Sequence, residues 1–458
     1  MRRCCSLILV VVLAPALASA QNAVQIPMQF DLINPGAKSL GLGGAFVGLA
    51  DDATAGFANP AGLRDLFAPE ISLEVRGRRL ESPFLQRGRL SGTIANVKND
   101  VIQGPVFGDA IDSRTGLSYI AGVYARPGRK WSIAGFRHEL ARVDQQFLSE
   151  GIFQQDPSEL TSFRDFPQEG LRQLAITNYA AAGAVEVSPR VAVGGALNVY
   201  TFDLVSRFTR FDADGFSGPP ILTREVGHAT QSGDDVSVAP TIGVRACVRD
   251  CADRSKPALR GGFVYRHGPT FDFDTQEGQS QRTSVFRVPH VLAFGAAFEV
   301  PQPGRPEPGT DTPTAGRRLL FMFEVTRILN SRLVEQFITD QALASGVASN
   351  VFIDDGTEFH FGFQYLDEKR GWRPRYRAGI WSDPDHSVNF ESSEVLADAG
   401  RRLLHERMSV MLAPGERATH YAGGIGLTVH DQVELNVGGD FASGSTTIST
   451  SLVLKLTK

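Results

Sequence analysis

From residue 69 onward the chain alternates apolar and polar side chains with period two, run after run. In Gly356–Asp367, Phe359, Phe361, Phe363 and Tyr365 face one way while Glu358, His360, Gly362 and Gln364 face the other. Val433, Leu435, Val437 and Phe441 alternate in the same manner with Glu434, Asn436, Gly438 and Asp440. This is the pattern of strands with one apolar face. Fourteen such runs can be counted between residues 70 and 457. Short turns, as at 126–130, 188–190, 367–372 and 430–432, separate from longer polar connections at 81–115, 148–170, 209–234, 332–355 and 387–416. Short turns on one side, long loops on the other and runs of at least about 9–11 residues are expected of a transmembrane β-barrel. The predicted fold is all-β, a fourteen-stranded antiparallel transmembrane barrel over 69–458. The barrel must close, because an open edge would leave backbone groups unsatisfied in lipid. A soluble sandwich also alternates, but with shorter strands and without the short-long rhythm.

Residues 1–20 read as a secretory signal peptide. Arg2 and Arg3 precede an apolar stretch from Leu7 to Ala18, and Ala18-Ser19-Ala20 is a small-x-small cleavage site. Cys4 and Cys5 leave with it. Without Arg2 and Arg3, 44 basic residues face 50 acidic ones, a balance that argues against a nucleic-acid partner. Cys247 and Cys251 are candidates for a disulfide across a tight turn in an oxidising compartment. A CxxxC spacing with no histidine nearby is a poor metal site, and no metal or cofactor is expected. Catalysis finds no footing either: GxSxG and HExxH are absent, and Gly41-Leu-Gly-Gly44 is followed by no βαβ unit.

Fourteen strands enclose a lumen too wide for wall side chains to fill. Segment 21–68 is the natural plug. Gly36, Gly41, Gly43, Gly44 and Gly48 permit tight folding, and Asp51-Asp52 and Asn59-Pro60 supply turn chemistry. The stretch from Asn34 to Leu63, with Ala50-Asp-Asp-Ala53 and Asn59-Pro60-Ala61 ahead of fourteen strands, resembles the N-terminal signature of the FadL/TodX (OmpP1) family. Val288-Pro-His-Val-Leu-Ala-Phe-Gly-Ala-Ala-Phe298 is family-like as well.

The resemblance implies an outer-membrane transporter of long-chain fatty acids and other hydrophobic small molecules. Its lumen would be closed by a hatch, and its cargo would leave sideways into the membrane. Asn59, Pro60, Ala61, Gly41, Gly43, Gly44, Asp51 and Asp52 are then the hatch and gating candidates. PorV-like barrels share the signature yet serve in protein secretion, so a secretion-partner role stays open. A single-chain barrel needs no partner to close and is expected as a monomer among outer-membrane lipid and lipopolysaccharide.

Phe84, Phe107, Phe153, Phe163 and Phe166 fall in the longer connections and are the candidate ligand contacts. The run Trp131–Phe147 breaks the alternation, with Phe136, His138, Leu140 and Arg142 sharing one face. In the family the third strand is kinked to form the side opening, which makes Gly135 the candidate for that gap; the alternative is that the upper half of the strand stands above the membrane, where polarity on both faces is harmless. Arg375, Arg377, His360, Glu434 and Asp440 point into the lumen and are expected to form a polar network there.

Overall fold

A computed structural model describes residues 32–89, 104–155, 162–165, 167–213, 220–251, 253, 255–277, 279–302, 316–337, 350–368, 372–391, 405, 409, 412 and 415–456. The leader and residues 21–31 of the expected plug lie outside the described residues.

Three long strands begin the wall: β1 (Glu70–Gly88), β2 (Pro105–Tyr124) and β3 (Trp131–Ser149). A short hairpin, β4 (Ile152–Gln155) and β5 (Ser162–Asp165), precedes β6 (Gln168–Ser188), β7 (Val191–Ala213) and β8 (Pro220–Arg249). Next come β9 (Ala258–Arg266), β10 (Thr270–Glu277), β11 (Ser280–Arg287), β12 (Val291–Gln302) and β13 (Arg317–Ile328). The short β14 (Val351–Phe352) and β17 (Asn389–Phe390) pair with each other and bracket β15 (Gly356–Asp367) and β16 (Arg375–Asp383). The wall ends with β18 (Ala418–Val429), β19 (Val433–Ala442) and β20 (Ser445–Lys455).

Antiparallel pairing runs β8-β7-β6-β3-β2-β1-β20-β19-β18-β16-β15-β13-β12-β9, and β9 pairs back onto β8. The result is a closed fourteen-stranded barrel, as expected. The outward phase carries Ile71, Leu73, Val75, Phe294, Phe361, Ile425 and Val437, all exposed. The inward phase carries buried polar residues, among them Glu74, Asn198, Glu324, Arg377 and Asp440, with large apolar side chains concentrated on β3, β6 and β7. An apolar outer band around a closed ladder is what a bilayer demands. No helix among the described residues is long and apolar enough to cross a membrane. The chain is an outer-membrane barrel.

Three features depart from the simple ladder. Two of the fourteen runs counted in the sequence, over 258–272 and 283–300, are each interrupted, because Pro269 and Pro289 lack the amide that a ladder needs. Beyond these breaks the β10–β11 hairpin leaves the ring and pairs with the outer half of β8, Asp274 opposite Ser232. The connection expected over 81–115 is mostly strand, since β1 and β2 continue as a paired ribbon to Gly88 and Pro105.

The broken alternation of β3 has a physical cause as well. Glu139 pairs with Thr177 and Ala141 with Ile176, so Leu140 is an extra residue in a bulge. The bulge resets the phase. Phe136, His138, Leu140, Val143 and Phe147 are buried, and Arg142 belongs with the outward set rather than with Leu140.

Inside the ring lies the N-terminal segment, with α1 (Ala37–Leu40), α2 (Ala55–Ala58) and a 3₁₀ turn at Pro60–Asp65. At the turn after β8, Cys247 and Cys251 sit with their sulfurs at bonding distance.

Candidate functional site: a filled lumen and an open seam

The N-terminal segment is tied to the wall around most of its circumference. Two wall carboxylates take its free amides. Glu324 of β13 accepts from Phe46 and Val47, both at 2.7 Å, and Glu74 of β1 accepts from Gly36 at 2.9 Å. Tyr119 of β2 donates to the Ala53 carbonyl at 3.1 Å, and His360 of β15 donates through Nδ1 to that of Gly43 at 2.7 Å. Arg266 of β9 donates to Asn34 Oδ1 at 2.7 Å, while Arg64 and Asp65 form ion pairs with Glu186 and Arg245. Asn59 is fully buried. Its Oδ1 accepts from the Ala61 amide at 3.2 Å, and its Nδ2 donates to the carbonyls of Val47 and of wall residue Val244, each at 3.1 Å.

The backbones also meet directly. A Cβ on Gly379 would lie 2.3 Å from the Gly43 amide, and one on Gly262 would lie 2.3 Å from the Val47 carbonyl oxygen. Gly194, Gly243, Gly295 and Gly438 face the segment just as closely. Within the segment, Gly43 and Gly44 take φ of +64° and +80°, where L-residues with side chains are strained.

Lys38 holds the acidic pair, at 2.5 Å from Asp51 and 3.7 Å from Asp52. Burial alone would push Lys38 down, but the two carboxylates outweigh it and hold the ammonium above its ordinary value. Burial would raise Asp51, yet Lys38 outweighs it and holds that carboxyl well below the usual range; for Asp52 burial wins and the carboxyl is raised. The eight residues expected to act together, Gly41, Gly43, Gly44, Asp51, Asp52, Asn59, Pro60 and Ala61, thus belong to one packed insert.

The lumenal polar residues form a network, as expected. Arg377 donates to Gln364 at 2.8 Å and to Asn436 at 2.7 Å, and Arg375 and Arg377 lie within 3.8 Å and 3.7 Å of Glu434. The sequence reading missed an aromatic stack beside it. Trp381 lies between His420 at 3.7 Å and His360 at 5.2 Å, with Asp440 accepting from Trp381 Nε1 at 2.7 Å and bonded to His420 Nδ1 at 2.6 Å. A small cavity of about 80 Å³ separates this stack from Leu32 and Leu40 of the segment and reaches Arg76 and Arg78.

The wall is not sealed everywhere. Between β2 and β3 the ladder runs from Tyr124–Ile133 to Tyr119–His138 and then stops, although both strands continue. Gly135 pairs with Gly122 on one side and with Ala181 on the other, so the gap expected there is displaced. It begins at Glu139, immediately before the Leu140 bulge. Above that point the outer half of β3 slips behind the β1–β2 ribbon. Asp112 accepts from the Asp144 amide at 3.2 Å, Gln145 donates to Ser82 at 2.8 Å, and Ser149 donates to the Leu85 carbonyl at 2.7 Å. Arg137 takes the Leu117 carbonyl, which the ladder has abandoned. The seam opens a cavity of about 740 Å³, lined by Arg76, Arg78, Arg114, Glu139 and Arg142 among others.

Behind it, on the lumenal faces of β3, β6 and β7, Phe136, Leu140, Leu174, Ile176 and Phe202 make an apolar lining. Of the departed hairpin, Phe271 stacks on Phe202 at 4.7 Å and Phe286 packs against it at 5.1 Å with its ring tilted. Of the expected ligand contacts, Phe84 is buried against Phe147 at 5.0 Å, and Phe107 packs on Leu85 and Ile152. Phe153 is buried beside them, Phe163 stands on β5, and Phe166 lies outside the described residues.

No family model matches the sequence, and no curated protein matches it. Solved structures do. The P. putida toluene transporter TodX aligns over 93% of this chain and 100% of its own, at 11% identity and TM-score 0.53. A TodX monoaromatic hydrocarbon channel lacking S2 and S3 aligns over 93% and 99%, at 12% identity and TM-score 0.50. The CymD monoaromatic hydrocarbon channel aligns over 94% and 100%, at 12% identity and TM-score 0.48. With its fourteen strands, inserted N-terminal segment and outer apolar band, the chain has the fold of the TodX barrel.

Proposed function

We propose that this barrel carries hydrophobic small molecules passively across the outer membrane, long-chain fatty acids first among them. Residues 21–68 are the hatch, and the seam between β2 and β3 is the side exit. The observation that carries the reading is the pairing of a filled lumen with a wall seam between β2 and β3 that opens into a large cavity. A molecule that cannot pass straight through has a way out through the wall. Its driving force is transfer from water to hydrocarbon, about 0.8 kcal/mol for each buried CH₂. Capture is assigned to the outer end of the barrel that carries Phe84, Phe107, Phe153, Phe163 and Phe166, where Phe84 and Phe153 are packed in the closed state. Asn59 and the Asp51-Asp52 pair hold the hatch in its closed position. The likeness to a toluene transporter supports the class of cargo, and the apolar cluster of Phe136, Leu140, Leu174, Ile176 and Phe202 inside the wall is suited to an acyl chain.

The test is uptake of a labelled long-chain fatty acid, and separately of toluene, by cells lacking their own transporter. Saturable fatty-acid uptake that falls when Leu140 is deleted is the expected result. Correct insertion with no uptake of either compound, and with secreted proteins co-purifying, would sink the transport reading in favour of a secretion role.

A further inference from the structure

The outward faces beside the seam change character together. Up β1 they read Ile71, Leu73, Val75 and then Gly77, Arg79, Glu81. On β2 they pass from Ile120 and Leu117 to Thr115 and Ser113, with Ile111 a lone apolar residue beyond them, and on β3 from Trp131 and Ile133 to Arg137, Glu139 and Arg142. Three neighbouring strands thus leave the apolar band where the ladder opens. The open edges agree, because unpaired backbone groups are tolerated at a polar or hydrated level and not against acyl chains. The seam therefore lies at the level of lipid head groups.

Its charges do not cancel. Arg76 is matched by Glu74 at 2.9 Å, and Arg114 by Asp112 at 3.0 Å and Asp144 at 2.5 Å. Arg137 and Arg142 share Glu139, each at 3.6 Å. Arg78 makes no ion pair within 4 Å among the described residues, although Asp112 across the same cavity attracts it at longer range; its guanidinium makes one hydrogen bond, to the Arg142 carbonyl at 3.1 Å. It also borders both cavities, the small one beside the lumenal stack and the large one in the seam.

We propose that the seam is a binding site for the anionic head group of an amphiphile, with Arg78 as its direct contact and the acyl tail in the outer leaflet. The head group is a carboxylate or phosphate, the chemistry that a guanidinium recognises through paired donors. It has two sources, a cargo molecule in transit or a lipid of the surrounding bilayer. The cargo source rests on the transport reading; the lipid source does not.

The full-length protein in a neutral detergent is titrated with dodecanoate and with dodecanol, which share a tail. Native mass spectrometry then compares retention of phosphatidylglycerol with that of phosphatidylcholine. Arg78→Gln is the test variant, Arg78→Lys the rescue, and Arg79→Gln a control for an outward cation already paired with Glu81. The expected result is a preference of about ten-fold or more for the anionic member. It is lost in Arg78→Gln, partly kept in Arg78→Lys, which retains the charge without the paired donors, fully kept in Arg79→Gln, and weakened by salt. Preference for dodecanoate identifies a cargo head group, and preference for phosphatidylglycerol a bilayer lipid. Equal binding in both comparisons, or a preference that survives Arg78→Gln, overturns the site. Dodecanol that fails to bind at all counts against the transport reading and leaves the phosphatidylglycerol comparison to decide the site.

Discussion

Asn59 joins three parts of the molecule with one amide: the turn it caps, the loop at Val47 and the wall at Val244. Replacing it with alanine leaves those buried groups without partners, and Asn59→Ala is expected to cost about 1–3 kcal/mol in thermal unfolding. Gly379→Ala drives a methyl into the Gly43 amide and should cost a comparable amount, about 1–3 kcal/mol in the same measurement. The Lys38 clamp has a pH signature. Asp51 lies below its ordinary 3.8, so its contribution is present above that value and is lost as pH falls through the lower folded value. Lys38 lies above 10.5, so its contribution is present below that value and is lost as pH rises through the folded one. Asp52 opposes this, since its raised carboxyl is relieved by acid. Lys38→Met should therefore loosen the segment to proteolysis at pH 7, and the difference from wild type should begin to shrink only below pH 3.8, persisting at pH 3 and closing in stronger acid. Asn59 and the acidic pair were legible because their motif stands apart from any strand. Glu74 and Glu324 were not, since a polar residue in inward phase is ordinary for a barrel. The only mark they left was a lone acid inside an apolar run, as in Phe321-Met-Phe-Glu324-Val.

At the level of elements, β3 carries the most consequence. Deleting Leu140 removes the residue without a partner and leaves the register with β6 regular on both sides. The outer half of β3 should then stay against β2, and uptake should drop while heat-modifiable migration on gels shows an intact barrel. A strengthened uptake in that variant would contradict the exit assigned here. The sequence could report that β3 breaks the alternation, yet it could not say that the break is a phase reset. A bulge adds one residue without any composition of its own. The interruptions at Pro269 and Pro289 left a visible signal in the prolines themselves. The outer reaches of β1 and β2 were lost because a strand above the bilayer has no lipid to impose an apolar face.

For the whole molecule, fourteen strands and an inserted N-terminal segment were readable because a bilayer enforces period two and strand length wherever a chain crosses it. Removing residues 21–68 should leave a barrel that inserts but conducts ions, in contrast to a closed full-length chain. Planar-bilayer conductance distinguishes the two, and equal silence from both would mean that the segment is not what blocks the lumen.

The glycines that line the wall opposite the segment carry a further consequence, one of timing. Where two backbones touch with no side chain between them, nothing can be threaded past afterwards. The insert is therefore expected to seat while the wall strands are still coming together, before the first strand finds the last. The barrel is cast around its own N-terminus, so a substitution at one of these glycines should show itself first as a failure of biogenesis.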